Sequence, residues 1–389
     1  MNISIALAYF LLMAFVMGMA ALPQFRFVDD AKSSARYSAL DGLRGFAALS
    51  VFFHHVAITY YFIDAGEWSH AGSRFYTLLG PVGVSLFFMI TGFLFWGKLL
   101  RVNGRPRWYE LYIHRLCRIG PLYTFVVLIM LFIVFAKTGF QLLESASAVM
   151  ASALQWLALG IIDTQPDVNT YQAKYVLAGV TWTLFYEWLF YAALIAIAPF
   201  ARGRMHLLFV SVALVLSLSA RKFLNWDPGG FVMLFLCGMG VASLLHKNIK
   251  LRLPPKLSSA IALACISTVL IWSDNGYGTP TILLLAIFFY LVCSGSSIFG
   301  LLTSTPATRL GNISYSIYLM QGLVLTSVFA VTPLRNFAMA SALNYWTIGA
   351  VCLSVLLICA ALGYAFIERP GIALGKQLTR RQVAVEVAQ

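Results

Sequence analysis

Four ionisable side chains stand in apolar surroundings where acid–base chemistry would need them. Asp41, Arg44 and His55 fall within LDGLRGFAALSVFFHH at 40–55, and Glu187 within TWTLFYEWLFYAAL at 181–194. On a helix, the step from Arg44 to His55 returns to within ~20° of its starting direction after a rise of ~16 Å. The two therefore share one face, one at a rim and the other deep, and Asp41, one turn before Arg44, joins that stripe. A neutral imidazole suits proton abstraction near neutral pH. If the helix carrying Glu187 enters near Val180, its carboxylate sits ~10 Å below the edge of a core ~30 Å thick, at a depth comparable to His55. Ionisable groups at such depth are costly and mark functional paths. The same placement also fits a polar pair joining helices and the proton relay of a transporter.

These residues need a membrane domain to position them, and the composition supplies one. Hydrophobic residues make up 60% of the 389, charged residues 11%, and the mean hydropathy is +0.83, values outside the range of soluble domains. The fold class expected is an all-α polytopic membrane protein. The net charge of +13 and pI near 9.6 do not indicate nucleic acid, because the basic residues lie between apolar spans and are not gathered on one soluble unit; the positive-inside rule accounts for them. Apolar windows of crossing length fall at 3–22, 42–62, 80–97, 120–136, 180–200, 207–220, 229–245, 257–273, 280–295, 311–331 and 345–367. With 147–162 not crossing, alternation puts 23–41, 98–118, 201–206, 246–256, 296–310 and 368–389 on one side. Those segments hold 20 of the 27 Lys and Arg residues, which makes that side cytoplasmic. Segment 138–179 then lies outside, with 147–162 free to dip into the membrane. The first span has neither a basic leader nor a small-residue cleavage pattern, so it reads as a retained helix. Six cysteines without metal-ligand spacing read as small buried hydrophobes, and no metal site is expected.

The blocks LDGLRGFAALSVFFHH, GVSLFFMITGFL (83–94), HRLCRIGPLY (114–123), TWTLFYEWLFY (181–191), LGNISYSIYL (310–319) and IERP (367–370) follow one another in an order that resembles the membrane-bound acyltransferase 3 family. The resemblance covers 40–370 and implies a domain of about ten spans that O-acylates surface polysaccharides and other hydroxyl-bearing acceptors. It divides the chain into 1–39, an extra N-terminal transmembrane helix with a cytoplasmic linker; 40–370, the acyltransferase membrane domain; and 371–389, a cytoplasmic tail. It implies a multi-pass protein of the bacterial inner membrane, with His55 as the essential histidine, Arg44 as its basic partner oriented by Asp41, and Glu187 as the motif glutamate. Arg115 and Arg118 match the family's Arg-x-x-Arg pair, implicated in use of the coenzyme A donor, so acetyl-CoA is the expected acyl donor and no metal is expected. Gln321 departs from the pattern, standing where this block usually ends in His, and an amide cannot act as a base near neutral pH.

Chemistry and position agree with these expectations. Transfer from a thioester to a hydroxyl needs a general base, for which His55 is the candidate, either as base or as transient acyl carrier. Arg115 and Arg118 sit one turn apart in the basic segment Lys98–Arg118, where phosphates would be attracted, with Arg44 as a further fixed charge. Ser314, Tyr318 and Gln321 share a polar stripe suited to acceptor binding. Aromatics including Trp68 crowd the external end, as interfacial belts do and as a sugar-stacking platform would. His54 reads as a packing or secondary residue and His114 as solvated, while His70, His206 and His246 fall in loops. The expected partners are acyl-CoA, a glycan or other hydroxyl-bearing acceptor and the bilayer. The alternatives are O-acylation of a small molecule of macrolide type and a proton-coupled transporter or flippase, for which no inverted repeat is visible.

Overall fold

The computed structural model describes residues 3, 6–29, 38–68, 72–225 and 227–388, with side chains up to residue 380; His70 lies outside the described residues. Within them run α1 (Ala6–Ala21), α2 (Ser38–Ala65), α3 (Arg74–Arg101), α4 (Trp108–Lys137), α5 (Ala146–Leu157), α6 (Ala173–Val176), α7 (Trp182–Ile197) and α8 (Met205–Phe223). These are followed by α9 (Gly229–His246), α10 (Pro255–Trp272), α11 (Thr279–Cys293), α12 (Thr305–Asn312), α13 (Ser314–Ala330), α14 (Thr332–Ala340), α15 (Ala342–Gly363) and α16 (Arg369–Ala388). Among the described residues no strand forms beyond one isolated bridge between Val168 and Tyr171.

Helices result because a chain in hydrocarbon must satisfy its backbone polar groups within each segment. Among the described residues eight helices are long and apolar enough to cross a membrane, and a ninth span arises if α12 and α13, broken at Ile313, count as one. The expected spans 3–22 and 280–295 are helices of 16 and 15 residues. α5, at 12 residues, is only ~18 Å long and too short to cross. Several helices outrun their apolar windows: α3 starts at Arg74 and α4 at Trp108, so Pro81 and Pro121 become interior residues. The expected loop 296–310 instead carries α12, because Ser304 caps it by accepting from Ala307 N at 3.4 Å and Pro306 fits its first turn.

The helices group into two compact units. One comprises residues 2–106 and 189–314. Here α2 packs on α3 and α12, and α3 packs on α9. The approaches are backbone to backbone: a Cβ at Gly311 would land on the Asp41 carbonyl, and one at Gly238 on the Met89 carbonyl. Small residues of this kind let helices associate where lipid offers no hydrophobic drive. Buried Arg309 of α12 ties in α1. Its Nε and Nη2 donate to the Asp29 carboxylate at 2.7 and 3.0 Å, and its Nη1 donates to the carbonyls of Ala20, Ala21 and Leu22 at 2.9, 3.3 and 3.1 Å. The Ala20 and Ala21 carbonyls lie in the last turn of α1, where such groups carry the negative end of the helix dipole.

The other unit comprises 107–188 and 315–389. The expected tail 371–389 is helical as far as Ala388, and α16 lies along α4, with Gly371 and Gly375 against Cys117 and with His114 Nε2 3.1 Å from Thr379 Oγ1. Between α15 and α16 a π-turn spans Tyr364–Glu368. Segment 138–179 is held by buried Asn169, which donates to Thr138 Oγ1 and the Gln141 carbonyl and accepts from Leu143 N.

Arg309→Met should lower the thermal unfolding midpoint and membrane abundance, since it leaves the carbonyls at the end of α1 without their donor, at a cost of roughly 1–3 kcal/mol. Asp29→Asn should cost less, because that carboxylate is 47% exposed and an amide oxygen still accepts. Thermal unfolding in detergent checks the order; equal midpoints for wild type and Arg309→Met would refute it.

Candidate active site

α2 carries the expected stripe. Arg44 Nη1 lies 4.0 Å from Asp41 Oδ1, the one-turn pairing that the spacing anticipates. His55 is buried, at 9% exposure, and Thr59 Oγ1 donates to its backbone carbonyl at 2.7 Å. Its ring stacks on Trp68 at 6.2 Å between centroids, with planes 29° apart, and meets the His54 ring edge-on at 5.1 Å. His54 is fixed from the other side, its Nδ1–H donating to the Tyr76 carbonyl at 2.9 Å. Gly80 makes room for that ring, since a Cβ there would sit 2.5 Å from it. Two neighbouring histidines thus differ in kind: one is anchored to a carbonyl, and the other lies against an indole face. Trp68 was legible only as one of many interfacial aromatics, and the fold is what selects it.

A second polar cluster occupies the unit that holds Glu187. Arg118 Nε lies 3.7 Å from Glu368 Oε1, and Ser316 Oγ donates to Glu368 Oε2 at 3.0 Å. Glu368 is fully buried, whereas the Arg118 side chain is 28% exposed. Tyr315 OH donates to the Ile119 carbonyl at 2.9 Å and lies within electrostatic range of Glu187, Glu368 and Arg118. Tyr318 OH donates to the Val180 carbonyl at 3.0 Å and lies 3.0 Å from Thr183 Oγ1, also within range of Glu187. Arg115, on the same helix as Arg118, is half-buried.

The site residues therefore divide between the units: Asp41, Arg44, His55 and Ser314 in one, and Arg115, Arg118, Glu187, Tyr318 and Gln321 in the other. Ser314, Tyr318 and Gln321 share α13, but all three are buried, and Gln321 Nε2 donates to the Tyr318 carbonyl at 2.8 Å. Tyr318 thereby braces the turn that leads into Glu187. Glu368 is the residue that sequence reading missed. Assigned there to a cytoplasmic segment, it is a fully buried carboxylate, and its only signal was its place in the IERP block. His206 and His246 are likewise not in loops: they fall in α8 and α9, with ring centroids 5.6 Å apart.

Glu368→Ala should destabilise the fold by roughly 2–4 kcal/mol, within the range for breaking a buried pair and reduced by the partial exposure of Arg118. Glu368→Gln should retain more, because its amide oxygen still accepts from Ser316. Unfolding midpoints and membrane abundance check this, and wild-type values for Glu368→Ala would contradict it.

The sequence pattern of the family described as "Acyltransferase domain" matches residues 37–364, a stretch that takes in both clusters except Glu368. A protein of Bacillus subtilis (strain 168) named "Putative peptidoglycan O-acetyltransferase YrhL" is 25% identical, over 89% of this chain and 56% of the relative; the chain thus spans little more than half of that relative's length. No solved structure matches the chain. Apolar helices of crossing length and a family match over most of the residues lead to one conclusion: the chain is a multi-pass membrane protein and belongs to the acyltransferase 3 family.

Proposed function

We propose that the protein moves an acetyl group from cytoplasmic acetyl-CoA to a hydroxyl of a cell-surface glycan, with His55 as general base, in the inner membrane of a bacterium. The observation that carries this reading is His55 itself, a buried imidazole stacked on Trp68 on the helix that also carries the Asp41–Arg44 pair. In the proposed step an imidazole nitrogen takes the acceptor hydroxyl proton as the oxygen attacks the thioester carbonyl. The C–S bond then breaks, and the departing thiolate of coenzyme A receives the proton from the imidazolium. The Trp68 face suits a sugar ring, and a glycan acceptor agrees with the peptidoglycan in the name of the Bacillus relative.

Arg115 and Arg118 are the groups proposed to meet the donor's phosphates, since a guanidinium offers forked donors to phosphate. Glu368 acts on the donor through Arg118, whose guanidinium it holds in place. Glu187, beside Tyr315 and Tyr318, supplies a carboxylate that accepts hydrogen bonds from hydroxyl groups. Ser314, Tyr318 and Gln321 of α13 are the groups proposed to bind the acceptor, whose hydroxyls a hydroxyl or amide can meet as donor and acceptor.

Mass spectrometry of surface glycans tests the proposal. O-acetyl groups should disappear in cells expressing His55→Ala at unchanged membrane abundance and persist in His54→Ala at a reduced level, because the anchored ring only positions its neighbour. Full O-acetylation in His55→Ala would overturn the mechanism, and complete loss in His54→Ala alone would mean that the other histidine is the base.

A further inference from the structure

A cavity of about 320 Å³ opens where α3, α9 and α11 end, lined among others by Arg101, His246, Lys250 and Ser294. Basic residues at helix C-termini ordinarily serve the last carbonyls and the dipole, but here those carbonyls are already taken. Gly104 N bonds to Leu99 O and Asn103 N to Leu100 O below α3; Ile249 N bonds to Leu244 O and Asn248 N to Leu245 O below α9; Ser296 N bonds to Leu291 O and Gly295 N to Val292 O below α11. Each pair is a Schellman cap, with Asn103, Asn248 and Gly295 at φ 48°, 57° and 119°. Arg101 and Lys250 thus remain as charges with no carbonyl to serve. Among the described residues neither is in a salt bridge. No Asp or Glu occurs in 68–109, 228–273 or 275–367, the stretches that build the cavity.

The site is constructed rather than incidental. Tyr290 OH accepts from Leu251 N at 3.0 Å and donates to the Ile249 carbonyl at 3.1 Å, fastening the turn that carries Lys250 onto α11. Ser294 Oγ is buried without a hydrogen-bond partner, a hydroxyl left unsatisfied inside a cavity whose fixed charges are all positive. From Arg101 the lining continues along α3 past Leu100 and Gly97 to Phe93, an apolar wall of ~12 Å. A basic mouth on an apolar slot fits an amphiphile better than a free anion.

We propose that this cavity binds the head group of an anionic phospholipid. Arg101 and Lys250 neutralise the phosphate, Ser294 donates to it, and the start of one acyl chain lies along Leu100 and Phe93. Basic pockets between transmembrane helices at a cytoplasmic face hold lipid head groups by these same forces, and the excess of basic residues places these helix ends on that face. The site lies wholly in the unit of His55, and neither Arg115 nor Arg118 lines it.

Native mass spectrometry of the delipidated full chain, offered phosphatidylglycerol, phosphatidylcholine, coenzyme A or inorganic phosphate in turn, tests this. One phosphatidylglycerol per chain should be retained and phosphatidylcholine should not. Arg101→Gln with Lys250→Gln should cut retention about tenfold or more, given the attraction of each basic residue for an anionic lipid. Gly97→Leu should abolish retention with the charges intact, since a Cβ there meets nothing nearer than 3.8 Å and a longer side chain fills the slot; it also keeps the test decisive should the charge variant fail to fold. The proposal falls if phosphatidylcholine is retained equally or if the variants retain phosphatidylglycerol as wild type does. Displacement of the lipid by coenzyme A or inorganic phosphate would also overturn it, by assigning the cavity to a soluble phosphate.

Discussion

A charge in hydrocarbon must be paired, and that requirement shapes this fold more than any other. Arg309 reaches from α12 to Asp29 and the last carbonyls of α1, while Arg118 reaches from α4 to Glu368 beside α16. Both contacts join segments more than 200 residues apart in sequence, so each closes its own unit as well as neutralising a charge. Replacing such pairs with apolar residues can be neutral for stability. Their retention at these two joints is therefore better explained by what they position: the first helix in one unit, and the guanidinium assigned to the donor in the other.

Positioning of His55 depends on a different device. α2 is located by close approach of backbones at Gly42, Gly45 and Gly311 and by the Gly80 gap that accepts His54. A helix held by backbone contact has little freedom to rotate, and rotation would carry the imidazole away from Trp68. Chemistry and packing thus share one helix, with glycines on the faces that touch neighbours and the imidazole on the face that meets the indole.

Much of this was legible in the sequence. Apolar windows give helices because lipid leaves the backbone no alternative, and the step from Arg44 to His55 fixes a shared face by helix geometry alone. Helix ends were less legible: α3 and α4 run beyond the hydrocarbon window with polar turns that hydropathy reads as loop, and α12 is too short and too polar to register as a span. Glu368 and Arg309 were hidden for a related reason. Their neighbours in sequence mark them as interfacial charges, whereas their burial comes from partners far along the chain, Ser316 and Arg118 in one case and Asp29 in the other. Trp68 reads in the sequence as one interfacial aromatic among many, because composition cannot tell a belt aromatic from one stacked on an imidazole.

In the proposed reaction an imidazole on α2 drives acyl transfer from a thioester to a hydroxyl. The most direct measurement is coenzyme A release by the purified chain in lipid nanodiscs, given acetyl-CoA with and without an acetylatable glycan fragment. Release should depend on the acceptor, be matched mole for mole by acceptor O-acetylation, and be absent when residue 55 lacks an imidazole. Acceptor-dependent release at an undiminished rate without that imidazole would contradict the proposed reaction.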